Sequence, residues 1–144
     1  MRTIFFKNKP KIISTYTVAG PKESSGGLKD YIHLKLDTDT FNEETFEKAE
    51  TKMLFHALKN SMSEINLSVK EVDAIIAGDL LNQIISATFS ARNFDTGYLG
   101  IYNACATSVE GIIIGANMVE SKQIKNCICT QMAIQKSEDK MKEK

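Results

Sequence analysis

The sequence predicts an α/β fold, a mostly parallel sheet with helices on both faces. Three observations predict it. Short runs rich in β-branched and apolar residues, at 12–18, 74–77, 98–102 and 127–129, alternate with helical patterns at 43–62, 80–93 and 106–120. The run Ala74-Ile75-Ile76-Ala77 has no polar member, as suits a strand covered on both faces. The chain has 144 residues, 42% hydrophobic and 25% charged, which fits about one globular domain and excludes collagen-like, low-complexity and wholly disordered chains.

After a Lys-rich lead-in, Ile12-Ile13-Ser14-Thr15-Tyr16-Thr17-Val18 reads as a strand. Residues 19–40 read as a long loop punctuated by Gly20-Pro21 and Gly26-Gly27; loops of this length are often functional or cover a partner. A helix over 43–62 follows, with Asn42 as N-cap and Glu43, Glu44 and Glu47 at the positive end of its dipole. Phe46, Ala49, Met53, Leu54, Ala57 and Leu58 recur at helical spacing and mark its core face, where Met53 and Met62 are filler. Ser68-Val69-Lys70-Glu71 has the capping-box pattern, with room for one short turn.

The strand at 74–77 ends on Gly78-Asp79, and Asp79 suits the N-cap of a helix over 80–93. Residues 98–102 form a short strand. Asn103-Ala104-Cys105 is then a strand-to-helix junction. The helix over 106–120 is small and apolar, so it should pack closely on most sides. Cys127-Ile128-Cys129 opens the last buried strand, and 135–144 is a charged tail expected to fray. The domain reading is therefore 1–134 with a tail at 135–144.

Eighteen basic residues balance eighteen acidic ones, so no basic surplus points to nucleic acid. No segment approaches the roughly 20 apolar residues that span a bilayer. Three Cys without framework spacing read as reduced and intracellular. With no C-x-x-C and with His33 and His56 far apart, the pattern argues against zinc. Neither G-x-x-x-x-G-K nor G-x-G-x-x-G is present, so no phosphate loop and no cofactor is expected.

Two strand ends could carry chemistry, because ligands of parallel sheets sit outside the carboxyl ends of strands. Cys105 opens a helix, where free N–H groups and partial positive charge can make a thiol a nucleophile. The plainer alternative is an inert buried thiol. Thiol catalysis also wants a base, and both His residues precede Cys105 in the chain. Asp79, Asn82 and Gln83 cluster after a buried strand and could hold a small polar ligand, against the plainer role of Asp79 as a cap. Cys127 and Cys129 share a strand face, where packing is the simpler reading than a metal pair.

Three blocks in order carry a resemblance: Ala19-Gly20-Pro21-Lys22-Glu23, Gly78-Asp79-Leu80-Leu81-Asn82-Gln83 and Ala104-Cys105-Ala106-Thr107-Ser108-Val109-Glu110. From about residue 12 to 132 the chain resembles the stage V sporulation protein AD family, a thiolase-fold family of spore-forming bacteria. The middle block is the most specific; the last is shared with ketoacyl synthase-like condensing enzymes. The resemblance implies one half of a thiolase-like fold, with Cys105 at the family's nucleophile position. It implies a non-enzymatic protein that binds dipicolinic acid and takes part in its uptake into the developing spore. Partners would be other dipicolinate-uptake proteins at the spore inner membrane, where the protein would be peripheral. Cys105, Asp79 and Asn82, with Thr107 carried over by position, are the implied ligand residues.

The chain departs from the family in length, in Ala106 where Ser is expected, and in the charged tail. The second half, with the condensing enzymes' catalytic His, is absent. The resemblance thus implies a truncated gene or fragment, which needs a homodimer partner or a complementing second half to cover an apolar face. The alternatives are an acyl-transferring enzyme using Cys105 as nucleophile, and an inactive fragment.

Overall fold

The structure, a computed structural model, describes residues 3–134; the tail expected to fray at 135–144 lies outside the described residues. The fold class is the one expected, α/β with parallel strands and helices on both sheet faces, consistent with half of a thiolase-like unit. The main sheet has three strands, β3 (Ala74–Asp79), β4 (Gly97–Gly100) and β5 (Cys127–Met132), in the order β4-β3-β5. All pairs are parallel, with Ala74 opposite both Gly97 and Cys127. Every residue of β3 is buried, which is why its sequence has no residue to spare for water before Asp79.

The chain leaves β3 for one edge and then crosses to the other. Right-handed crossovers in opposite directions put their helices on opposite faces. On one face Ile75 and Ala77 pack against Leu54, Leu58 and Met62 of α2 (Phe46–Ser63) and Ala87 and Ala91 of α3 (Ile85–Ala91). On the other, Ile76, Cys127 and Cys129 meet Gly111 and Gly115 of α4 (Thr107–Glu120). A second, two-stranded parallel sheet pairs β1 (Val18–Ala19) with β2 (Leu34–Lys35), and Leu36 beside it packs on Ala49 and Met53 of α2.

Several boundaries differ from expectation, each for a physical reason. Of residues 12–18 only Val18 enters a strand, and Ile12 and Ile13 are 70% and 59% exposed. β-propensity needs a neighbouring strand to pair with, and among the described residues none lies beside residues 12–16. The expected loop at 19–40 contains α1 (Pro21–Ser24), a 3₁₀ turn (Lys29–Tyr31) and β2. Pro21 holds the first helical position, where its missing N–H costs nothing.

α2 begins three residues later than expected. Thr45 has extended backbone, φ −131° and ψ 156°, so the helix cannot run through it. Thr45 is the cap, its hydroxyl accepting from the Lys48 N–H at 3.3 Å. Glu43 and Glu44 instead pair with Lys52 and Lys48. The capping box at Ser68 and Glu71 closes a single 3₁₀ turn (Val69–Glu71), as expected.

α3 is shorter than 80–93 because Gln83 and Ile84 have φ of 51° and 70°. α4 is not packed on most sides. It meets the sheet through Thr107, Gly111 and Gly115, while Val109, Ile112 and Ile113 stay 44–58% exposed. Small residues four apart let the helix backbone sit close on the sheet, and nothing among the described residues covers its outer side.

Candidate functional site

The carboxyl ends of β3 and β4 and the start of α4 gather around one turn. Ile101 continues the ladder beyond β4, its N–H donating to the Ala77 carbonyl at 3.0 Å. The chain then folds through Asn103 into a 3₁₀ turn (Ala104–Ala106), with Ala104 at φ 45°. Cys105 sits at the middle of this turn, exposed, two residues before α4.

Three residues brace the turn. Thr107, 1% exposed, accepts from the Asn103 N–H at 2.9 Å and donates to the Ala104 carbonyl at 2.8 Å. Gln131 of β5 spans it, its amide N–H donating to the Ala104 carbonyl and its oxygen accepting from the Ser108 N–H, both at 3.1 Å. Gly78 lets the turn approach, because a Cβ there would run into the Ile101 carbonyl oxygen and lie 2.7 Å from Thr107 Cγ2. Cys105 is thus a solvent-facing thiol on a fixed backbone.

Asp79 points to the other side of the sheet, since successive strand residues face opposite ways. It is fully buried, and its Oδ2 accepts from the Ala87 N–H at 2.8 Å. Asp79 is therefore not the expected N-cap: the helix starts at Ile85 with Ile84 in that position, and Asp79 instead reaches the third helical N–H from the end of its strand. Asp79 Oδ1, both oxygens of Glu50 and the Ser86 hydroxyl are buried nearby without a well-formed hydrogen bond. Burial pushes the Glu50 carboxyl up to about 7, with the Asp79 charge adding to it. The Ser86 hydroxyl and the backbone N–H groups of Leu81 and Ile134 pull the other way.

Asn82 is exposed on the loop between β3 and α3, its amide donating to Glu47 Oε1 at 3.2 Å. The four expected ligand residues therefore form two groups. Cys105 and Thr107 lie on the α4 side of the sheet, Asp79 and Asn82 on the α2 and α3 side. None of them lines the groove of about 570 Å³ between α2 and α3 or the cavity of about 680 Å³ between the N-terminal segment, α4 and β5.

No histidine is placed to act on Cys105. His56 is on α2, packed edge-on against Phe41 at 5.0 Å, and burial followed by Lys52 and Lys59 lowers its pKa. His33 stacks on Tyr16 at 5.0 Å and lies 2.8 Å from the Thr17 hydroxyl. Among the described residues no three His, Cys, Asp or Glu side chains gather as a metal site would need.

Sequence reasoning missed Glu50 and Gln131. Both left a signal. Glu50 falls four residues after Phe46 and four before Leu54, on the core face of its own helix. Gln131 shares strand parity with Cys127 and Cys129 and so faces α4.

Residues 1–141 match the family described as Stage V sporulation protein AD (SpoVAD). The chain is 30% identical over 127 residues to Stage V sporulation protein AD of Bacillus subtilis (strain 168), an alignment that covers 88% of this chain and 38% of the relative. The chain thus spans well under half the length of that relative.

Proposed function

The chain belongs to the stage V sporulation protein AD family, and from that premise we propose that it binds dipicolinic acid without turning it over and takes part in its uptake into the developing spore. Family membership is the observation that carries the reading. The site supports it in two ways. The start of α4 sets the positive end of its dipole beside an exposed, rigidly held turn, which suits the carboxylates of a small planar dianion, while the Thr107 and Ser108 N–H groups are themselves taken by the Ala104 carbonyl and Gln131. Cys105 has no histidine base against it among the described residues, so the thiol is a contact and not a nucleophile in this reading.

The partners proposed are the other dipicolinate-uptake proteins at the spore inner membrane, with this protein peripheral to it. No helix among the described residues is long and apolar enough to cross a membrane. A second copy, or a chain supplying a complementing half, would cover Val109, Ile112 and Ile113.

A thermal melt with and without millimolar dipicolinate tests the proposal. An upward shift is expected, because a ligand that prefers the native state stabilises it by about 2.7 kcal/mol at a hundredfold excess over Kd. A transition that ignores dipicolinate overturns it. The exposure of Cys105 on a fixed turn favours a second reading, acyl transfer through a Cys105 thioester. A mass increase on Cys105 after incubation with acyl-CoA would establish that reading and displace the first.

A further inference from the structure

We propose that Cys127 and Cys129 form a two-thiolate site for a soft, linearly coordinating monovalent cation such as Cu(I). The two residues lie two apart on β5 and point to the same face, toward α4. Their sulphurs converge on Gly115. A Cβ at Gly115 would stand 2.7 Å from Cys127 Sγ and 3.0 Å from Cys129 Sγ. Only a residue without a side chain leaves room for both sulphurs over one helical position. Cys129 Sγ is 3.1 Å from the Gly111 carbonyl oxygen, to which its thiol donates.

The sulphurs also border open space. Both cysteines line the cavity of about 680 Å³ whose apolar walls include Ile12, Ile112, Ala116 and Val119. Both are half-buried, so an ion can reach them and yet be shielded from most of the solvent. Two thiolates and no third ligand suit a cation content with two soft donors. They do not suit zinc, which takes four ligands, and no third His, Cys, Asp or Glu gathers here among the described residues.

Binding replaces two S–H bonds with two Cu–S bonds and releases two protons, leaving a complex of charge −1. Lys11 and Lys125 line the same cavity and offset the negative complex. Asp73 opposes it, but the Asp73 carboxylate is already engaged by the N–H groups of Lys125 and Asn126 at 2.7 and 3.0 Å.

The test uses Cys105→Ser, so that the exposed thiol does not compete, with Cu(I) supplied against the chelator bicinchoninate. The chain is expected to retain one Cu(I), and X-ray absorption should show two sulphur neighbours. Cys127→Ser and Cys129→Ser in the same background should weaken retention by more than the roughly 10–100-fold that outer-shell changes cost metal sites. Gly115→Ala should weaken it too, by pushing the Cys127 sulphur aside. Surrender of all copper by Cys105→Ser, or a copper environment with nitrogen, oxygen or three sulphurs, overturns the proposal without reference to any cavity variant. Retention by either serine variant equal to that of the Cys105→Ser parent overturns it as well.

Discussion

Glu50 carries a carboxyl into a place where neither oxygen finds a well-formed hydrogen bond, beside a second buried carboxyl at Asp79. Its folded pKa of about 7 lies above the ordinary 4.5. Between those values the folded chain holds a proton that the unfolded chain has already given up. Stability from this group is therefore complete below pH 4.5 and declines as pH rises through about 7. The loss amounts to about 3 kcal/mol, at 1.36 kcal/mol per pKa unit. Urea unfolding at pH 5 and pH 8 checks it. The native chain should lose stability over that range, and Glu50→Gln should lose clearly less. The lowered pKa of His56 acts in the opposite sense, gaining stability as pH rises, so the difference between the two chains isolates Glu50. The sequence showed Glu50 on the core face of its helix, but not the burial. That depends on α3 and the loop at 80–84 closing over it, which periodicity within one helix does not report.

At the scale of elements, the turn bearing Cys105 is held by three separate strands or helices. β3 supplies Gly78, β5 supplies Gln131 and α4 supplies Thr107. Gly78→Ala is expected to cost at least about 1–3 kcal/mol, because the added Cβ meets a backbone carbonyl that has nowhere to move in a buried ladder. Its urea midpoint should fall, and limited proteolysis should cut earlier near residue 104. An unchanged midpoint would mean that the close approach of this turn to β3 is wrong. The junction itself was legible from Asn103-Ala104-Cys105. The braces were not, since two of them come from residues far from the turn in the chain.

Across the whole molecule, one face of the sheet is well covered and the other is covered by a single helix with an apolar outer side. Burying apolar surface stabilises at roughly 25 cal/mol per Å², so this side favours association. The chain is expected to dimerise at micromolar concentration in sedimentation velocity. Ile113→Lys should shift it to monomer while changing monomer stability by no more than about 0.5 kcal/mol, since the residue is already solvent-facing. A native chain that sediments as a monomer throughout would remove self-association as the cover for α4.

What the sequence determined by itself is the local and periodic part. The alternation of apolar runs with helical patterns was enough for the parallel α/β class, and the unbroken apolar run at Ala74–Ala77 for its central strand. Three short blocks were enough for the family. Tertiary structure decided the rest, because the rest depends on partners distant in the chain. Most of a strand-forming stretch at 12–18 formed no strand for want of a neighbour, and α4 kept an open face for want of a cover. Gly78 and Asp79 are adjacent in the chain and face opposite sides of the sheet. That divides the expected ligand residues between the two faces, a consequence of pleating that only the register of β3 against its neighbours fixes.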